Sequence, residues 1–115
     1  MNPIRSFWFA FACMMLSACA EHSGHFTLVN QSDEPIKIAV VKISGQEFDI
    51  RDLSPTSSFE GMYKINSDDS YKIYIEFMSG NKLSTDTGYV TNGMDFQHTI
   101  IVTNSEISVV GGKSN

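Results

Sequence analysis

Cysteine is nearly missing from this chain of 115 residues: there are two, Cys13 and Cys19, both within the first twenty positions. No disulfide can form in the remainder, so a hydrophobic core has to hold it together. Basic side chains are also few, 8 against 13 acidic, for a formal charge of −5. Phosphate recognition needs clustered Lys and Arg, so this balance argues against a nucleic-acid partner. There is one Trp, there are three Pro, and no repeat or low-complexity tract occurs. No stretch repeats its apolar residues at the helical period. The longest apolar run, Phe7 to Leu16, is ten residues. As a helix it would span about 15 Å, half of a bilayer core of about 30 Å, which is too short to cross. What is present, 42% hydrophobic residues in one domain's length, fits a folded globule.

The first twenty residues have the form of an export signal. Arg5 is the only charge before Glu21, and the apolar run ends in Leu16-Ser17-Ala18-Cys19. That tetrad resembles the bacterial lipobox, in which a Leu and two small residues precede a Cys. The resemblance covers residues 1–19 and matches at all four positions. It implies cleavage before Cys19, diacylglycerol on its thiol and acylation (commonly palmitate) of the new amino group. The single positive charge is a thinner start than such signals usually have. Ala20 stands where an Asp would resemble an inner-membrane retention signal. The expected location is therefore the cell envelope, lipid-anchored, at the outer membrane rather than the inner. Removing 18 of the 115 residues would leave 97, with seven basic against thirteen acidic side chains.

The expected organisation is a signal peptide over 1–18, a lipidated tether over 19–24, a folded domain over 25–110 and a flexible tail over 111–115. The domain reads as strands, because apolar residues alternate with polar ones. Tyr71, Ile73, Ile75 and Phe77 alternate with Lys72, Tyr74 and Glu76 in the clearest case. Phe26 and Leu28, Phe48 and Ile50, Phe59 to Ile65, Lys82 to Thr87, Phe96 to Val102, and Ile107 with Val109 supply the others. Ile36 to Ser44 is a β-branched run whose alternation slips, which predicts a bulge near Val40-Val41. Ser44-Gly45 and Asn92-Gly93 read as hairpin turns, and Asp52 to Ser57 as a crossing between sheets. Seven to eight short strands at about ten-residue spacing predict an all-β fold, a small antiparallel β-sandwich of immunoglobulin-like or transthyretin-like kind. A closed barrel is the alternative.

Several constellations bear on chemistry. His22 and His25 lie three apart beside Glu21, but a closed metal site needs four ligands, and a solvated tether is the expected role. His98 shares a strand face with Phe96 and Ile100 and is expected as a satisfied core histidine. Asn66, Asp68 and Asp69 lack the glycine and the terminal Glu of a calcium loop, so a turn bonded to its own backbone is expected. Met62, Met78 and Met94 are scattered over separate elements, which points to packing rather than to a soft metal. No catalytic motif stands out, so neither an enzyme nor a cofactor is expected.

Thr85 to Gly93 is polar, glycine-bounded and carries Tyr89. Asp86, Tyr89 and Asn92 are the candidate partner-binding loop, since Tyr with adaptable polar neighbours is recognition chemistry. The alternative is a plain strand–turn–strand with Tyr89 packed on the end of the sandwich. The cast of this segment is also similar to the inhibitory loop of small lipoprotein inhibitors of lysozyme, although the cysteines and other motif positions of that group are absent, so no residue roles are carried over from it. The functional expectation is a non-enzymatic, lipid-anchored envelope domain that binds a protein or assists envelope assembly. The alternatives are an inhibitor of a cell-wall hydrolase such as lysozyme, or a metal-binding envelope protein.

Overall fold

The structure, a computed structural model, describes residues 21–114, so the signal segment, the lipobox and Cys19 lie outside the described residues. Eight strands form two four-stranded sheets: β1 (His22–Asn30), β2 (Ile36–Ile43), β3 (Gln46–Leu53), β4 (Ser58–Ile65), β5 (Asp69–Phe77), β6 (Lys82–Val90), β7 (Phe96–Val102) and β8 (Ile107–Lys113). One sheet runs β4-β1-β7-β8 and the other β3-β2-β5-β6. This is the β-sandwich that the alternation predicts. Neither sheet closes on itself, which removes the barrel. The immunoglobulin order, with the first strand beside the second, is not this one; of the two expected arrangements the transthyretin-like one fits. One pair departs from an antiparallel sandwich: β1 and β7 run parallel. A parallel pair needs a long crossover, and strands β2 to β6 supply it.

Each strand's alternating apolar residues point into the space between the sheets. Phe26, Leu28 and Ile100 from one sheet meet Val41, Ile75 and Phe77 from the other, all within 1% of complete burial. Among the described residues no buried side-chain nitrogen or oxygen lacks a hydrogen-bond partner.

Five details correct the sequence reading. First, β1 begins at His22, with His22 opposite Ile65 and Gly24 opposite Tyr63, so 22–24 are strand rather than tether. Second, β8 runs to Lys113, opposite Phe96, so the expected tail is largely strand. Backbone pairing supplies what these polar and glycine-rich segments lack in apolar pattern. Third, the bulge in β2 falls between Ile36 and Ile38, not at Val40-Val41. Ile36 is buried, Ala39 and Val41 are buried after the flip, and Ile38 and Val40 face outward. Asp52, at φ 56°, makes the matching flip in β3 opposite Lys37. Fourth, Ser44-Gly45 does form a two-residue turn with both φ positive (52° and 76°), closing Ile43 onto Gln46. Asn92-Gly93 instead joins β6 to β7 across the two sheets, because β6 is an edge strand already paired with β5, and the strand that follows it, β7, lies in the other sheet. Fifth, Met62, Met78 and Met94 are exposed (62%, 55% and 37%) rather than packed, since Met62 sits at an outward strand position and the others lie in turns.

Candidate functional site

The candidate residues lie where β6 ends. Tyr71 pairs with Thr87 but Asp69 pairs with Val90, so β6 carries one extra residue there. Gly88 takes it up at φ 74°, the left-handed conformation that a bulge of this kind uses. The bulge reverses the strand's parity. Val90 turns into the core at 0% exposure, and Tyr89 turns out to solvent at 58%. Tyr89 is therefore not packed on the sandwich end.

Tyr89 and Asn92 come together on a residue the sequence placed elsewhere. Asp68, between β4 and β5, accepts the Asn92 backbone N–H at 2.8 Å and the Tyr89 hydroxyl at 3.5 Å. Asp86 does not join them: it sits at an outward position of β6, accepts the Ser70 hydroxyl and lies opposite Lys72. Asp86 and Tyr89 are also strand residues rather than loop residues.

Asp68 and Asp69 thus clip neighbouring turns instead of bonding only their own. Asp69 accepts the Ser44 amide at 2.8 Å and the Lys72 ammonium at 3.0 Å. Partial burial would raise the Asp69 carboxyl, but the Ser44 amide, the Lys72 ammonium and the Ser70 amide outweigh it and hold the group below its ordinary range. Asp95 does the same work beside β1, accepting the Ser23 amide at 2.9 Å with His22 Nδ1 at 3.4 Å. That amide, chiefly, lowers its carboxyl too.

His22 and His25 do not chelate together, because an odd spacing on a strand puts them on opposite faces. Among the described residues no three His, Cys, Asp or Glu side chains gather to hold a metal. His98 is a core histidine, 4% exposed and stacked on Phe96 at 5.8 Å between ring centres. Its Nδ1 lies 3.1 Å from the Tyr71 hydroxyl, which lies 2.5 Å from the Tyr63 hydroxyl. Burial pushes the imidazole below its ordinary value and both phenols above theirs. This chain of three buried side chains ties the two sheets together.

A shallow groove of about 580 Å³ lies on the outer face of the second sheet. Val40, Ile73 and Tyr74 line its floor, with Lys42, Lys72, Ser84 and Asp86 around them. Asp86 therefore faces a different surface feature from the Tyr89–Asp68–Asn92 cluster. Sequence reasoning missed this groove because outward-facing Ile38 and Val40 carry the same apolar signal as core residues.

No family model matches the chain. No curated protein matches it either. A solved structure described as an NMR structure of the protein from Eubacterium rectale is similar in fold, with a TM-score of 0.57 over 77% of this chain and 87% of that one. At 19% identity the likeness concerns the fold alone.

Proposed function

We propose that this protein is a lipid-anchored domain of the bacterial cell envelope, held at the outer membrane, that works by binding another protein. The observation that carries the reading is Leu16-Ser17-Ala18-Cys19, a lipobox-like tetrad whose Cys stands three residues before the first strand at His22. The contact we assign to Tyr89, supported by Asp68 and Asn92. A half-exposed aromatic whose hydroxyl and neighbouring turn are already held by a carboxylate loses little freedom on binding. The carboxylate and the chain's negative charge favour a partner with a basic surface. A cationic cell-wall hydrolase of the lysozyme class is one partner of that chemistry.

The test is intact mass and membrane fractionation of the expressed full-length protein beside Cys19→Ser. The expected result is that the wild type loses 18 residues, gains acyl mass and fractionates with membranes, while the variant does none of these. A soluble, unacylated wild type overturns the anchor. A photo-crosslinking residue at position 89 should then capture one membrane-associated protein in preference to the same residue at Ser105, on the opposite end. Equal capture at both positions counts against the Tyr89 surface.

A further inference from the structure

The outer faces of the two sheets differ sharply in charge. On the β3-β2-β5-β6 sheet, the outward positions from Glu47 to Arg51 and their register partners number twelve, and eight are charged. Lys42 opposite Glu47 and Lys72 opposite Asp86 are examples. On the β4-β1-β7-β8 sheet the equivalent grid has Met62, His25, Gln97 and Gly112 in one row, Glu60, Thr27, Thr99 and Val110 in the next, and Ser58, Val29, Ile101 and Ser108 in the third. Glu60, on the edge strand, is the only Asp, Glu, Lys or Arg among these twelve. A solvated sheet face ordinarily carries charge at its outward positions. This one presents short, β-branched and hydroxyl side chains across its three inner and edge strands, with Val110 49% exposed at the β8 side.

We propose that this face is a self-association surface, on which a second copy of the chain packs sheet to sheet. The charge distribution selects that occupant. The chain carries −5 overall, and the charges of the second sheet's outer face balance, four acidic against four basic. The acidic excess therefore lies in the turns and chain ends, at Asp33, Glu34, Asp68, Asp95 and Glu106 among others. Two copies meeting end to end would bring like charges together. Two copies meeting through this sparsely charged face, whose Glu60 and Lys64 lie on the edge strand, leave those groups at a solvated rim, where salt screens them. A partner with a charged surface would strand its own charges against Thr27, Thr99 and Ile101. A copy of the same face does not. Short β-branched side chains also lose little rotamer freedom on contact.

The area sets the strength. Four strands at about 4.8 Å spacing and six residues at about 3.3 Å rise give a footprint near 400 Å². That is roughly half of what each partner contributes to a stable interface, so the association is weak and concentration-dependent. It does not depend on lipidation, although tethering to one membrane would raise the local concentration.

The test is sedimentation equilibrium of the full chain in mild detergent, from low micromolar to millimolar protein. The variants are Thr99→Glu at the centre of the face, Val110→Lys at its margin, and Val40→Glu on the opposite sheet as control. The expected result is that wild type and Val40→Glu rise with concentration toward twice the monomer mass, while Thr99→Glu and Val110→Lys remain monomeric with unchanged circular dichroism. If Thr99→Glu does not fold, Val110→Lys alone decides. A wild type that stays monomeric at every concentration overturns the proposal, and so do face variants that associate as the wild type does.

Discussion

Gly24 and Gly61 sit opposite aromatic residues across the same strand pair, and each lends its missing side chain as space for a ring. Gly24 faces Tyr63 and Gly61 faces Phe26 in the β1–β4 register. A Cβ on Gly24 would lie 2.2 Å from the Tyr63 ring, and one on Gly61 would lie 2.4 Å from the Phe26 ring. Both rings are buried and flanked by other aromatics: Phe26 meets Phe48 edge-on at 5.1 Å, and Tyr63 meets Tyr71 edge-on at 5.9 Å. Neither can swing aside without disturbing a second ring. Gly24→Ala and Gly61→Ala should each destabilise the fold by about 2–3 kcal/mol, the upper part of the range for overpacking a tight core. Gly112→Ala, whose Cβ would meet nothing within 4 Å, is the control and should change little. Urea unfolding of the three variants reads the difference directly.

His98 makes a second residue-scale prediction, in pH. Burial lowers its folded pKa below the unfolded value of about 6.5. Above that value the imidazole is neutral in both states and stability does not depend on it. Below it the unfolded chain takes up a proton that the native core resists, so stability falls as pH falls, by at most about 1.4 kcal/mol per pH unit. Asp69 and Asp95, held low in the folded state, add their own loss only as pH drops through the carboxylate range near about 4. In His98→Phe the decline between pH 6.5 and 5 should flatten while the loss near pH 4 persists. At neutral pH the variant should sit about 1 kcal/mol below wild type, because the Tyr71 hydroxyl keeps only Tyr63 as a partner. Urea midpoints at half-unit pH steps decide it; an unchanged slope would mean that His98 does not titrate across folding.

Among the elements, the turn after β1 depends on one buried polar side chain. Asn30 is fully buried. Its Nδ2 donates to the Leu53 carbonyl at 2.9 Å and the Glu34 carbonyl at 3.1 Å, and its Oδ1 accepts the Ser32 amide at 3.0 Å and the Ser32 hydroxyl at 2.6 Å. One amide thus joins the end of β3 to the β1–β2 crossing, the two places where the chain passes between the sheets on this side. Asn30→Ala would leave these groups buried without partners, at about 2–4 kcal/mol. Asn30→Asp keeps the acceptor and loses both donors, so it should be nearly as damaging. A loss under about 1 kcal/mol in either variant would show that water replaces the side chain. In the sequence, only the Asn30-Gln31-Ser32 spacing of an Asx turn hints at this role.

The same contrast explains what could be read in advance. Tyr71 to Phe77 announced itself as a strand because one side meets the core and the other meets water, and period two follows from that. Ile36 to Ile43 misled at its bulge because Ile38 and Val40 are apolar yet face outward, Val40 into the groove. Tyr89 and Asn92 were visible as a polar, aromatic segment. Their common partner Asp68 was not, being over twenty residues away and brought in by the meeting of two turns. Asp86 was grouped with them because the extra residue at Gly88 leaves no mark in the alternation of so polar a strand.

For the whole molecule, the two ends of the sandwich differ in what leaves from them. β1 starts at His22 opposite Ile65, β8 finishes at Lys113 opposite Phe96, and the Ser114 amide bonds to the Asp95 carbonyl. Both ends of the described chain therefore leave from the side that holds Asp68, Asn92 and Asp95. Cys19 precedes His22 by three residues, a reach of about 10 Å at most. A lipid on Cys19 would hold this end against the bilayer, while the β7–β8 turn stands the length of a strand away, about 25–30 Å. The Tyr89 cluster would then face the membrane surface, and its partner would have to be membrane-associated as well. A fluorophore on Asn92→Cys should be quenched by lipids carrying a headgroup quencher, and one on Ser105→Cys should not. Equal quenching at both sites would mean that the domain tumbles on its anchor. Quenching at Ser105 alone would mean that it lies inverted, and the Tyr89 surface would then face away from the membrane and be open to soluble partners.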